Sequence, residues 1–170
     1  MLARILRTGK SILFPAWLVL VAPAHAADES LWLWRERSEI AGKPVDAFLW
    51  TDPAGEAPRA LMLVVRNFAE LEFCADPVIR AALAKNRIAL ALVSPNAFGS
   101  HDPPEPAWEK TVEILESLEK TSGLPGLAAL PLIPFGHSAA GPWARNLTWH
   151  HPERLAGMIH YNSGQFVPPA

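Results

Sequence analysis

The sequence predicts an α/β fold: one mostly parallel sheet with helices on both faces. Three observations carry this. Two wholly apolar runs, Ala60–Val65 and Ile88–Val93, bracket a helix with a clear start signal. Continuous apolar runs of that length are what strands buried on both faces look like. Glu105–Ser122 has the pattern of an amphipathic helix, with Trp108, Thr111, Val112, Leu115 and Leu118 at helical spacing and Glu and Lys between them. A third apolar run, Leu130–Phe135, stops at Gly136, and Ser138 follows among small residues before a new helical stripe begins.

The chain of 170 residues opens with a segment that does not belong to this fold. Arg4, Arg7 and Lys10 precede an apolar core, Ile12–Ala22, and Ala24-His25-Ala26 supplies an A-x-A cleavage pattern. This is the layout of a secretory signal peptide over residues 1–26. The core is about 11 residues, short of the ~20 that span a bilayer. The alternative is an uncleaved N-terminal anchor. Residues 27–170 are then a single exported domain, periplasmic or secreted, with no stable membrane span after cleavage. Lys and Arg number 15 against 17 Asp and Glu, a formal net charge of −2, with no basic block beyond the leader. That excludes a nucleic-acid reading. One cysteine, Cys74, cannot form an internal disulfide and reads as a small buried hydrophobe.

Leu31–Arg37 alternates Trp32 and Trp34 with Leu31 and Leu33 and predicts a strand. Ala41-Gly42-Lys43 is the expected turn to a second strand, Pro44–Thr51, with a turn cluster at Asp52–Glu56. After Ala60–Val65 comes a loop, Arg66–Glu70. Asp76-Pro77 then opens a helix, with Asp as N-cap and Pro at the first helical position. Val78, Ile79, Ala82 and Leu83 are its expected buried face, and Lys85, Asn86 and Arg87 suit its end. Strand, helix and strand at this spacing form a βαβ unit, which requires parallel pairing. The loop Ser94–Pro104 leaves the carboxyl end of a parallel strand, where α/β proteins build sites, so His101 and Asp102 fall near the rim. Their structural reading is turn residues; a substrate contact at His101 is the alternative. Gly123 ends the amphipathic helix. Pro131 and Pro134 fit poorly in a central strand, since each removes a ladder donor, so that strand is expected to be short or irregular. Beyond Ser138, Ala140, Trp143, Ala144 and Leu147 make a helical stripe that should end before Pro152. His150 and His151 suit a helix C-terminus. Being about 100° apart on the helix, they make a poor metal pair. Leu155–Tyr161 reads as the next parallel strand, followed by Asn162-Ser163-Gly164 at the rim.

The turn at Ser138 carries the chemistry. Gly136, Ser138 and Ala140 stand at the first, third and fifth places of a pattern close to G-x-S-x-G. A serine on such a turn is held in a strained backbone with its hydroxyl pushed outward. Small residues two positions away let the helix fold back beside the strand. The helix start aims free N–H groups and the positive dipole end at the same point. Pro142 is tolerated because the first turn has no use for its N–H. The alternative is a small-residue turn that only joins a strand to a helix.

Gly136-His137-Ser138-Ala139-Ala140-Gly141 resembles the nucleophile elbow of the α/β-hydrolase superfamily, with Ala140 where glycine is usual. The opening hairpin, the βαβ unit and the Pro152–Gly157 lead-in resemble it too. The resemblance covers the mature chain but about the N-terminal two-thirds of a full domain. It implies Ser138 as nucleophile and the Ala139 N–H as one oxyanion donor. The second donor is implied in the Arg66–Phe68 loop, from Phe68 or alternatively Asn67. His137 points away from Ser138 in such an elbow, as a packing or rim residue. The catalytic acid and histidine are implied on later strands, beyond residue 170. None of His150, His151 and His160 fits the base: the first two lie roughly 18 Å along the helix, and the third is on a strand.

Two functions follow. One is an exported serine hydrolase of a carboxylic ester or similar acyl bond, taking a small-molecule or acyl substrate and needing no cofactor or metal. The other is a non-catalytic exported binding domain, or a truncated inactive hydrolase. Oligomeric state is not readable.

Overall fold

The computed structural model describes residues 32–40, 43–98 and 106–163. The leader, the Ala41-Gly42 turn, His101, Asp102 and Gly164 lie outside them. Six strands form one sheet: β1 (Trp34–Ile40), β2 (Lys43–Trp50), β3 (Ala60–Val65), β4 (Ile88–Val93), β5 (Leu132–His137) and β6 (Ile159–Tyr161). Their order across the sheet is β1-β2-β4-β3-β5-β6. The β1–β2 and β2–β4 pairs are antiparallel; β4, β3, β5 and β6 run parallel. The helices are α1 (Glu70–Ala75), α2 (Pro77–Lys85), α3 (Pro106–Ser122) and α4 (Gly141–His150).

The apolar runs are explained by two cores. Along β2, β3 and β4 alternate side chains enter opposite layers. Val45, Leu49, Leu61, Leu63, Ala91 and Val93 pack with Ile114, Leu115 and Leu118 of α3 and with Trp143, Ala144 and Leu147 of α4. Phe48, Trp50, Met62, Val64, Leu90 and Leu92 pack with Cys74 of α1 and Leu83 of α2. No solvent-facing alternation is therefore left in the sequence of β3 or β4, where all but Ile88 are buried. On the α2 side, the Arg80 guanidinium lies over the rings of Trp32 and Trp50 at 5.3 and 5.0 Å, a cation–π cover for the sheet end.

Several elements differ from the sequence expectation. The first strand starts at Trp34 rather than Leu31, and Trp32 is buried just ahead of it. Glu70–Ala75 forms a helix of its own, too short for any periodicity to reveal. Asp76 caps α2 through Val78 N–H and Ile79 N–H. Of the four residues expected to face inward on α2, Leu83 is buried and Ile79 half-buried, while Val78 and Ala82 are exposed. The last strand contracts to Ile159–Tyr161, with Leu155 making only an isolated bridge to Leu132.

Pro134, by contrast, sits inside a regular strand opposite Leu63. Peptide groups alternate sides along β5. The Pro131 carbonyl accepts from Leu61 N–H on the β3 side, and the Leu132 carbonyl accepts from Ala156 N–H on the β6 side. Pro134 shares the orientation of Leu132. Its missing donor therefore faces the gap between Ala156 and the start of β6 at Ile159, where no ladder bond is needed.

Candidate active site at the end of strand β5

The chain leaves β3 towards α1 and α2 on one face of the sheet, and leaves β5 towards α4 on the other. Neighbouring strands whose connections depart to opposite faces leave a crevice between their carboxyl ends. Two short segments border it: residues 66–69 after β3 and residues 138–140 after β5.

Ser138 adopts φ 50°, in the left-handed region, and begins a single 3-10 turn, Ser138–Ala140, that runs into α4. For a residue with a side chain that conformation is strained and persists only where packing over-determines it. The packing is explicit. A Cβ on Gly136 would lie 2.7 Å from Ala144 Cβ and 2.9 Å from Gly141 Cα. A Cβ on Gly141 would lie 2.1 Å from Ser163 Oγ and 2.3 Å from Ser163 Cβ. The second place without room for a side chain is thus Gly141, one residue beyond the fifth place of the motif, and the Ala140 methyl is accommodated in the core. Ser138 is half-buried and Ala139 exposed at the crevice.

Across the crevice, Glu70 is buried, at 1% exposure. Its Oε2 accepts Asn67 N–H at 2.7 Å, and its Oε1 lies 2.6 Å from His137 Nδ1. The His137 ring also meets Tyr161, with centroids 5.4 Å apart. Asn67 Nδ2 is buried and has no partner among the described residues. Phe68 is 83% exposed. Behind His137 lies a groove of about 310 Å³ lined by Ala69, Glu70, Phe73, Phe135, Ile159 and Tyr161.

Known structures share this fold. A thermostable esterase superimposes with a TM-score of 0.54 at 13% identity, over 79% of this chain and 41% of that one. A soluble variant of monoglyceride lipase from Saccharomyces cerevisiae, in complex with a substrate analogue, gives 0.50 at 12% identity, over 82% and 47%. The chain has the α/β-hydrolase fold. It spans less than half the length of either structure. No protein-family model and no curated protein matches the sequence.

Within this α/β-hydrolase sheet, Ser138, Ala139, His137, Asn67 and Phe68 all lie at the carboxyl ends of β3 and β5. The other histidines among the described residues lie elsewhere. His151 stacks on Trp108 at 4.3 Å and approaches Glu153 at 3.7 Å. His160 Nε2 lies 2.6 Å from Ser163 Oγ, and His150 is exposed in the last turn of α4. Among the described residues no cluster of histidine, cysteine and acidic side chains could hold a metal ion, and no helix is long and apolar enough to cross a membrane. The residue that sequence reading missed is Glu70. Its trace was the spacing Asn67-x-x-Glu70, in which a glutamate three residues on reaches back to a backbone N–H as in a capping box.

Proposed function

We propose that this chain carries the nucleophile and oxyanion hole of an exported serine hydrolase that cleaves a carboxylic ester or similar acyl bond. One observation carries the reading. Ser138 stands at positive φ on a strand-to-helix turn, at the sheet's crevice, with Gly136 pressed against α4. In this mechanism Ser138 Oγ attacks the carbonyl carbon and its proton passes to a histidine base. The oxyanion is held by Ala139 N–H, at the helix start, and by Phe68 N–H, since Asn67 N–H is committed to Glu70. Collapse expels the alcohol and leaves an acyl-serine, which water then hydrolyses. We assign the base and its acid outside the described residues, because within them His137, His151 and His160 face Glu70, Glu153 and Ser163.

The test uses the native protein at its natural length. A fluorophosphonate probe should add its mass to the peptide containing Ser138. Ser138→Ala should abolish labelling and lower ester turnover by at least ~10⁴-fold. Those same histidine bonds favour the second reading, a non-catalytic binding domain. A well-folded native protein that neither labels nor turns over acyl substrates would establish it. Export is checked by the intact mass, which should lack residues 1–26.

A further inference from the structure

We infer that Glu70 and His137 are a positioning pair that fixes the β3–α1 loop against the Ser138 elbow. The inference rests on the hydrolase reading, since its purpose is to hold Phe68 N–H in register with the Ser138 hydroxyl. Burying a carboxylate is costly unless both oxygens find partners. Here one oxygen takes Asn67 N–H, in the peptide next to Phe68, and the other faces Nδ1 of His137, the residue before Ser138. A single side chain thus links the two segments that border the crevice. Phe68 and Ala69 are both exposed, and the Ala69 carbonyl accepts Phe73 N–H within the start of α1. Its entry is tied by Arg66 N–H to the Val93 carbonyl, at the neighbouring strand rather than at the elbow. The other side of His137 is backed by Tyr161. Neither Glu70 nor His137 is assigned a bond to substrate. They act through the placement of a donor, and a misplacement of about 1 Å at such a site can cost ~10²-fold in rate.

The experiment measures ester kinetics and amide hydrogen exchange on the native-length protein. In Glu70→Gln the neutral carboxamide loses both charge-assisted bonds, and it serves Asn67 N–H and His137 together only when the imidazole carries its proton on Nε2. Turnover should fall ~10–100-fold with KM within about threefold. Exchange at residues 66–69 should accelerate at least about tenfold while the interior of α4 is unchanged. His137→Gln keeps an N–H for Glu70 and should retain most of the turnover; His137→Phe should fall as far as Glu70→Gln. Parental turnover and exchange in Glu70→Gln would overturn the inference. So would equal losses in the two His137 variants, or faster exchange spread uniformly over the domain, which would mark an ordinary buried pair. If Glu70→Gln loosens 66–69 in a protein that neither turns over esters nor labels at Ser138, the anchoring stands and the hydrolase reading falls.

Discussion

Gly141→Ala is the sharpest test of how the elbow is held. Alanine in a helix is favoured over glycine by up to ~1 kcal/mol, so a helix with open space at this position would gain. Here the new Cβ would stand 2.1 Å from Ser163 Oγ, 2.3 Å from Ser163 Cβ and 2.9 Å from His160 Nε2. The Oγ contact could be relieved by rotation. The Cβ contact cannot, so the backbone at Ser163 or the start of α4 must move. Overpacking of this kind costs ~1–3 kcal/mol. Displacing Ser163 also loosens its 2.6 Å contact with His160, a further ~0.5–1.5 kcal/mol. The sum outweighs the helix gain, and Gly141→Ala should be destabilised by about 1–3 kcal/mol. Ser163→Gly removes the two closest atoms and leaves only the His160 ring, at 2.9 Å, to turn slightly aside, so adding Gly141→Ala on that background should cost less than about 0.5 kcal/mol. The coupling, at least ~0.5 kcal/mol in a double-mutant cycle, is read from urea midpoints at constant m. Additive effects, or a Gly141→Ala protein as stable as its parent, would refute the packing argument.

Phe68→Pro removes the proposed backbone donor and should lower turnover ~10²–10³-fold, whereas Phe68→Ala, losing an exposed ring, should leave stability within ~0.5 kcal/mol and turnover near the parent, as ester kinetics would show. Burial pushes the Cys74 thiol up to about 12; it should resist iodoacetamide in the native protein at pH 8 and react fully in urea, which mass spectrometry reads directly. Arg37, directly opposite in the β1–β2 register, bonds the Asp46 carboxylate at 2.7 and 3.0 Å and holds its pKa below the usual carboxylate range. The folded pKa is the lower one, so the stabilisation is present above about pH 4 and lost as pH falls through the folded value. Asp46→Asn should therefore cost ~0.2–1 kcal/mol at pH 7, and the difference in thermal midpoint should close at low pH.

The fold was legible where a residue's burial follows from its own segment, and less so where it depends on a distant one. Ala60–Val65 and Ile88–Val93 announce strands because both faces are covered, and the structure places them at the expected bounds. Asp76-Pro77 announces a helix start because the cap is local. The inward face of α2 was overcounted because periodicity says which residues share a face, not how much of it the sheet covers; Val78 is 74% exposed. Pro134 was misjudged for a related reason. A sequence gives the loss of a donor but not the side to which that donor would have pointed, and in β5 it points to the one stretch where β6 has not yet begun.

The same distinction separates the two halves of the candidate site. Gly136, Ser138 and Ala140 lie within five consecutive residues, and their spacing describes a turn that presents a hydroxyl. Glu70 lies 67 positions from its partner His137. In the sequence it is one acidic residue of a short polar loop, and a charged side chain in a loop is ordinarily solvated. Only the parallel pairing of β3 with β5 at the sheet's switch point brings the two together and makes a buried carboxylate tenable. That order of dependence has a consequence for the site itself. The elbow's shape is set by local sterics and should survive many distant changes, whereas the inferred anchor of the loop opposite it is one carboxylate reaching between neighbouring strands. A protein with an intact Ser138 turn and a disordered 66–69 segment is therefore the expected failure state, with the proposed nucleophile presented and the proposed oxyanion donor out of register.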